Sequence, residues 1–185
     1  AEATVIPDMI EAGTYIALSL ITDSDIKISG IVPHHLSSFF DTLENVGARF
    51  LFDGSSLQAN GDISGFVNIV TAPYPGFPTD MQPQIATLLC LAEGTSIVTE
   101  GIWDNRFRYV DELRRMGADI SVDGRVAVIN GVGQLQGAPV KATDLRAGAA
   151  LMIAGLSASG ITEIEDIYHI ERGYEDFELK LRGLG

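Results

Sequence analysis

Three stretches of the chain are apolar most of the way round a helix: YIALSLI at 15–21, IATLLCLA at 85–92 and AGAALMIAGL at 147–156. A helix without a polar face belongs inside a core rather than on its surface. Each stretch opens on an acid followed by a large apolar residue: Asp8-Met9, Asp80-Met81 and Asp144-Leu145. Counted from that Met or Leu, small or apolar residues recur at offsets of 4, 7 and 8, which is one helical face. They are Gly13, Ile16 and Ala17, then Ile85, Leu88 and Leu89, then Ala149, Met152 and Ile153. The pattern predicts one buried helix written three times.

The remaining pattern repeats with it. Asp41 to Gly61 aligns without gaps to Asp111 to Gly131 at an offset of 70, with 8 of 21 positions identical, where chance would supply about one. Both segments read as polar helix, Gly-Ala, strand, Asp-Gly turn, strand, and Asp53-Gly54 and Asp123-Gly124 are favoured two-residue hairpin turns. Short strands are predicted at 25–29, 96–99 and 162–165. The unit is an α/β module of about 65 to 70 residues, long enough for helices to cover a sheet, and three buried helices require sheet outside them. The repeats run over about 1–66, 67–137 and 138–185. In the third copy, Leu181 to Gly185 aligns with Leu43 to Gly47 and Leu113 to Gly117, short of any hairpin. The chain is therefore expected to be a piece of a longer protein, cut within its third repeat.

Composition narrows the function classes. Lys and Arg total 12 against 25 Asp and Glu, a net charge of -13, which argues against nucleic acid and anionic membrane partners because both demand a basic face. The uncharged stretches are too short or too broken by Pro and Gly to span a bilayer. No leader pattern opens the sequence, and the single Cys90 cannot form an internal disulfide. These features fit a cytoplasmic protein.

Candidate chemistry lies at the helix starts. Asp8, Asp80 and Asp144 stand where a carboxylate caps orphaned backbone amides, and capping is the ordinary reading of all three. Asp80 differs in its approach, TAPYPGFPT, in which three prolines in six residues are expected to hold an extended, stiff segment that delivers the helix start to a fixed place. Arg106 and Arg172 fall at matching places in two repeats, and Arg146 lies two residues after Asp144. They are surface ion-pair partners, or fixed forks for a carboxylate or phosphate. His34, His35 and His169 lack ligand-like spacing, so no metal is expected. Cys90 reads as a core thiol and Trp103 as packing or the rim of a site. No phosphate-cradling glycine loop or nucleophile elbow is present.

Four segments in order, TAPYPGFPTDMQPQ, EGIWDNRFRYVDELRRMGAD, ATDLRAGAALMIAGL and IYHIERGYEDFELKLRGLG, resemble the bacterial UDP-N-acetylglucosamine enolpyruvyl transferase family. The resemblance spans nearly the whole chain. It implies an inside-out α/β barrel of the EPSP-synthase-like type, built of three βαβαββ repeats with the third truncated here, and a single domain (1–185) whose partner domain is absent. It implies transfer of the enolpyruvyl group of phosphoenolpyruvate to the 3-hydroxyl of UDP-N-acetylglucosamine with release of phosphate, without a cofactor, in peptidoglycan synthesis and hence in cell shape and division. Carried over motif by motif, it implies Asp80 as the carboxylate that accepts the sugar hydroxyl's proton and Ile102 as a contact to the sugar nucleotide. Arg106, Arg146 and Arg172 become cations for the anionic substrates, and Asp144 a second site carboxylate.

That family draws a loop cysteine, a Lys-Asn pair and further arginines from its other domain, and Cys90 does not match that loop. The isolated chain is accordingly expected not to turn over. Two alternatives stand beside this reading: a domain of the related shikimate-pathway enolpyruvyl transferase, which the PTDMQ and ATDLR motifs disfavour, and a non-catalytic acidic repeat module that binds a partner.

Overall fold

The computed structural model describes residues 3–184. Helix α1 (Met9–Ile21) leads into β1 (Lys27–Ser29), α2 (Ser37–Asn45) and the hairpin β2 (Arg49–Asp53) and β3 (Ser56–Asn60). A second series follows: β4 (Asn68–Val70), α3 (Gln82–Leu91), β5 (Thr95–Thr99), α4 (Val110–Arg115), β6 (Asp119–Asp123) and β7 (Val126–Asn130). A third comprises β8 (Pro139–Lys141), α5 (Leu145–Ser157), β9 (Glu163–Glu165), α6 (Tyr168–Glu171) and α7 (Phe177–Leu184).

The three predicted apolar helices are α1, α3 and α5, and they pack against one another. Residues 82–90 of α3 are buried in unbroken succession, because helices cover it on two sides and sheet on a third. The amphipathic helices α2 and α4 present Phe39, Phe40 and Leu43, and Val110 and Leu113, to the same core. A smaller cluster of Tyr15, Leu18, Ile153, Ile170, Tyr174 and Phe177 joins α1 and α5 to the last two helices.

Among the described residues three separate sheets flank the helices, in the orders β1-β3-β2, β4-β5-β7-β6 and β8-β9. Both predicted hairpins are present, but Asp53 and Asp123 end their strands and the two-residue loops are Gly54-Ser55 and Gly124-Arg125. In each loop φ is positive only at the first residue, 59° at Gly54 and 56° at Gly124, the type II′ pattern that favours glycine there. The pairs β4-β5 and β8-β9 are parallel, with α3 and α5 as their crossovers. A parallel pair joined through a helix places the ends of both strands on the same edge of the sheet. The loops after β4 and β5 therefore emerge side by side, and they carry Asp80 and Arg106.

One local expectation is corrected. The proline-rich approach to Asp80 is not extended: it doubles back, with the Ala72 amide donating to the Phe77 carbonyl at 2.9 Å and Gly76 to Pro73 at 2.8 Å. The Tyr74–Pro75 peptide is cis. Prolines restrict φ without dictating chain direction, and here the glycine between them closes a tight turn.

Candidate active site

The three helix starts share a sequence pattern but not a structure. Asp8 caps α1, accepting from the Ile10 amide at 2.8 Å, and Asp144 caps α5, accepting from the Arg146 and Ala147 amides at 2.9 Å each. Asp80 caps nothing. It lies within a single turn of 3-10 helix, Thr79–Met81, ahead of α3, and its carboxylate faces two arginines instead. Oδ1 accepts from Arg106 Nη2 at 3.1 Å and Oδ2 from Arg146 Nε at 3.3 Å. The other oxygen of Asp144 lies 3.8 Å from Arg106 Nη1. Four of the charged residues singled out in the sequence thus form one cluster drawn from all three loop regions ahead of α3, α4 and α5.

The burial within the cluster is uneven. Asp80 is 43% exposed, whereas Arg106 and Arg146 are 16% and 13% exposed. Nε of Arg106 and Nη1 of Arg146 are buried without a hydrogen-bond partner among the described residues. Unpaired guanidinium donors in a desolvated setting are costly to leave unmet; they belong to two different arginines, and neither atom is open to solvent. Asn105, in the left-handed conformation at φ 55°, turns the chain so that Arg106 enters the cluster; Asn tolerates that conformation better than most residues.

Arg146 rests on a buried polar network that sequence reasoning missed. Its guanidinium carbon lies 5.3 Å from the centre of the Tyr174 ring, within cation–π range. The Tyr174 hydroxyl meets Thr14 Oγ1 at 2.9 Å, and the Gln84 amide donates to both at 3.2 and 3.0 Å. Burial pushes the Tyr174 phenol above its usual range, against the pull of Thr14, Arg146 and Gln84. Nearby, the fully buried Tyr109 donates to Gln82 Oε1 at 2.9 Å, and burial likewise raises its phenol.

Asp80 also borders a cavity of about 340 Å³ with Ile102, His35, Ile10 and the doubled-back segment 72–79, which brings Asp80 and Ile102 to the same cavity. Glu100, another residue without a sequence signal, is 1% exposed and accepts four hydrogen bonds there. Arg172 is placed differently. It follows α6 as its C-terminal cap residue, is exposed, and makes no side-chain hydrogen bond or ion pair within the described residues.

Trp103 is 59% exposed beside the cavity-lining Ile102. Cys90 is fully buried in α3 with its thiol pushed up to about 12 by desolvation. Among the described residues, no group of three or more His, Cys, Asp or Glu could hold a metal ion, and no helix is long and apolar enough to cross a membrane.

Comparison with known proteins fits this geometry. The chain is 53% identical over 184 residues to UDP-N-acetylglucosamine 1-carboxyvinyltransferase 3 of Caldanaerobacter subterraneus subsp. tengcongensis, covering 98% of this chain and 44% of that protein. It is 54% identical over 182 residues to UDP-N-acetylglucosamine 1-carboxyvinyltransferase 1 of Carboxydothermus hydrogenoformans, covering 98% and 43%. The chain thus spans less than half the length of the curated relatives it matches. Among solved structures, the enolpyruvyl transferase NikO from Streptomyces tendae superposes with a TM-score of 0.92 at 32% identity, over 99% of this chain and 44% of that one. EPSP synthase from Acinetobacter baumannii, at 21% identity over 96% and 46%, shares the fold with a TM-score of 0.74. The family model described as EPSP synthase (3-phosphoshikimate 1-carboxyvinyltransferase) matches residues 1–181, and the chain belongs to that family.

Proposed function

We propose that the chain is one domain of a cytoplasmic enzyme that transfers enolpyruvyl from phosphoenolpyruvate to the 3-hydroxyl of UDP-N-acetylglucosamine, supplying peptidoglycan synthesis and through it cell shape and division. The observation that carries this reading is the Asp80 carboxylate, held between Arg106 and Arg146 on the wall of a cavity that also contains Ile102. The substrate follows from the relatives at 53% and 54% identity, which are UDP-N-acetylglucosamine 1-carboxyvinyltransferases.

Attack by the sugar oxygen on C2 of phosphoenolpyruvate requires loss of the hydroxyl proton, and a carboxylate at hydrogen-bond distance is the group for it. Asp80 is exposed enough to meet a substrate and is oriented by its two arginines. As the sugar oxygen bonds to C2, C3 of phosphoenolpyruvate gains a proton; loss of phosphate with a C3 proton then restores the double bond. Phosphate and carboxylate charge persists throughout, and the guanidinium charges of Arg106 and Arg146, fixed beside Asp80, are preorganised to offset it. Asp144 fixes the start of α5, and with it Arg146, while facing Arg106. Arg172 is assigned to the same anionic substrates through its motif, and reaching them requires movement of the exposed segment after α6 or closure against a second domain. That second domain supplies the acid for C3, so the chain alone does not turn over.

The test is phosphate release by the full-length protein supplied with phosphoenolpyruvate and either UDP-N-acetylglucosamine or shikimate 3-phosphate. Turnover with the sugar nucleotide alone, lost in Asp80→Ala, is expected. Turnover with shikimate 3-phosphate, or an Asp80→Ala protein as active as the parent, would sink the assignment.

A further inference from the structure

Glu100 is a buried carboxylate held by neutral donors. Buried charges ordinarily pair with a cation or a metal, but Glu100 has no ion-pair partner among the described residues. Instead, Oε1 accepts from Thr71 Oγ1 at 2.8 Å, from the Ile102 amide at 2.9 Å and from the Trp103 amide at 3.1 Å, while Oε2 accepts from Thr79 Oγ1 at 2.9 Å. Thr71 Oγ1 in turn accepts from the Gly101 amide at 2.8 Å.

These donors belong to two loops. Thr71 and Thr79 bracket the segment that leaves β4 and ends at Asp80. Ile102 and Trp103 belong to the segment that leaves β5 and ends at Arg106. The Gly101–Thr71 and Arg106–Asp80 bonds also link the two segments directly, but Glu100 takes two donors from each, beside the cavity-lining Thr79 and Ile102. The Ile102 amide is consumed by this contact, so Ile102 offers the cavity its side chain and carbonyl. A fold gains nothing obvious from burying a charge where an apolar residue would pack. A site in which an error of about 1 Å costs on the order of 100-fold in rate does gain from it.

We propose that Glu100 is a positioning residue that sets the spacing of the Asp80 and Ile102 walls and thereby the placement of the sugar nucleotide. This rests on the reading that the cavity takes UDP-N-acetylglucosamine. The carboxylate suits the task because one group can satisfy four donors that no backbone partner reaches. It acts on the acceptor side of the reaction, while the phosphoenolpyruvate side depends on the arginines.

The experiment measures kcat and both KM values for the full-length protein and its Glu100→Ala, Glu100→Gln and Thr79→Val variants, with direct binding of UDP-N-acetylglucosamine alongside. Glu100→Ala is expected to raise the KM and Kd for the sugar nucleotide on the order of 10-fold, since it strands buried donors at the site, and to shift the KM for phosphoenolpyruvate less than about threefold. Glu100→Gln recovers most of that affinity, because its amide oxygen can replace Oε1 and its amide nitrogen can donate to the Thr79 hydroxyl. Thr79→Val, which removes one hydroxyl, raises the sugar-nucleotide KM about threefold and decides the matter should Glu100→Ala not fold. Equal rises in both KM values, or a lower melting temperature with an unchanged sugar-nucleotide KM, would show that Glu100 is only structural. A parent protein that does not bind UDP-N-acetylglucosamine overturns the assigned function itself, which the parent-protein arm reports separately.

Discussion

Replacing Tyr174 by Phe deletes one oxygen from the point where the three central helices and the Arg146 guanidinium meet. The hydroxyl lies 2.9 Å from Thr14 Oγ1 and 3.2 Å from Gln84 Nε2. Gln84 keeps its 3.0 Å bond to Thr14, and the Thr14 hydroxyl keeps its 2.8 Å bond to the Ile10 carbonyl. The change thus removes two neutral hydrogen bonds and weakens the satisfaction of one buried amide, for a loss of about 1–2 kcal/mol. The aromatic ring remains, so its contact with Arg146 and its packing on Phe177 are retained. Urea and thermal unfolding followed by circular dichroism measure the loss, expected as a fall in melting temperature of roughly 2–8 °C for a chain of this size. Tyr174→Leu, which also removes the ring, should cost more, in the range of about 3–5 kcal/mol. A Phe variant within about 0.5 kcal/mol of the parent would refute the idea that this hydroxyl ties the helices together.

Other outcomes follow from features in different parts of the molecule. Burial favours the neutral phenols of Tyr15, Tyr109 and Tyr174, raising all three above 10.0. Above that pH the unfolded chain releases protons that the folded chain retains, so stability is intact below pH 10 and falls beyond it; tyrosinate absorbance should rise together with unfolding, and early titration of all the tyrosines in a folded chain would contradict this. The Cys90 thiol, raised to about 12, is expected to resist alkylation at pH 8 in the native protein and to label only on unfolding, as read by mass spectrometry. A Cβ at Gly101 would overlap the carbonyl oxygen of Thr71, so Gly101→Ala should separate the ends of β4 and β5 at a cost of about 1–3 kcal/mol in urea unfolding. Asp8→Ala should lose about 1 kcal/mol through its cap in the same assay; an unchanged midpoint would show that the cap contributes nothing.

Much of the architecture could be read from the chain because it depends on periodicity. An all-round apolar helix has one physical home, and an Asp-Gly pair between alternating residues marks a hairpin, so α1, α3, α5 and both hairpins were legible, although each loop sits one residue later than the pair. Arg106 and Arg146 were legible as well, through their motif and through their scarcity in an acidic chain. Glu100, Gln84 and Tyr174 were not, since a buried polar residue is distinguished from an exposed one only by partners distant in sequence: Gln84 and Tyr174 meet across 90 positions. The doubled-back approach to Asp80 escaped notice because proline restricts a torsion and leaves the path of the chain to the residues between. Asp80 stood apart from its two siblings by its proline-rich approach and its motif, but nothing local to it shows that arginines 26 and 66 residues away take the carboxylate that would otherwise cap the helix.

That divergence among three similar helix starts has a consequence for what each position can accept. Asp8 answers to a backbone amide alone, so Ser, Thr or Asn could stand in for it as short acceptors. Asp144 answers to two amides and, at longer range, to a cation, and is narrower in its substitutes. Asp80 has exchanged the amide for two guanidiniums, and no uncharged acceptor is equivalent. Of three helix starts written with the same sequence pattern, the one whose carboxylate does not close its own helix is the one that turns outward to the cavity.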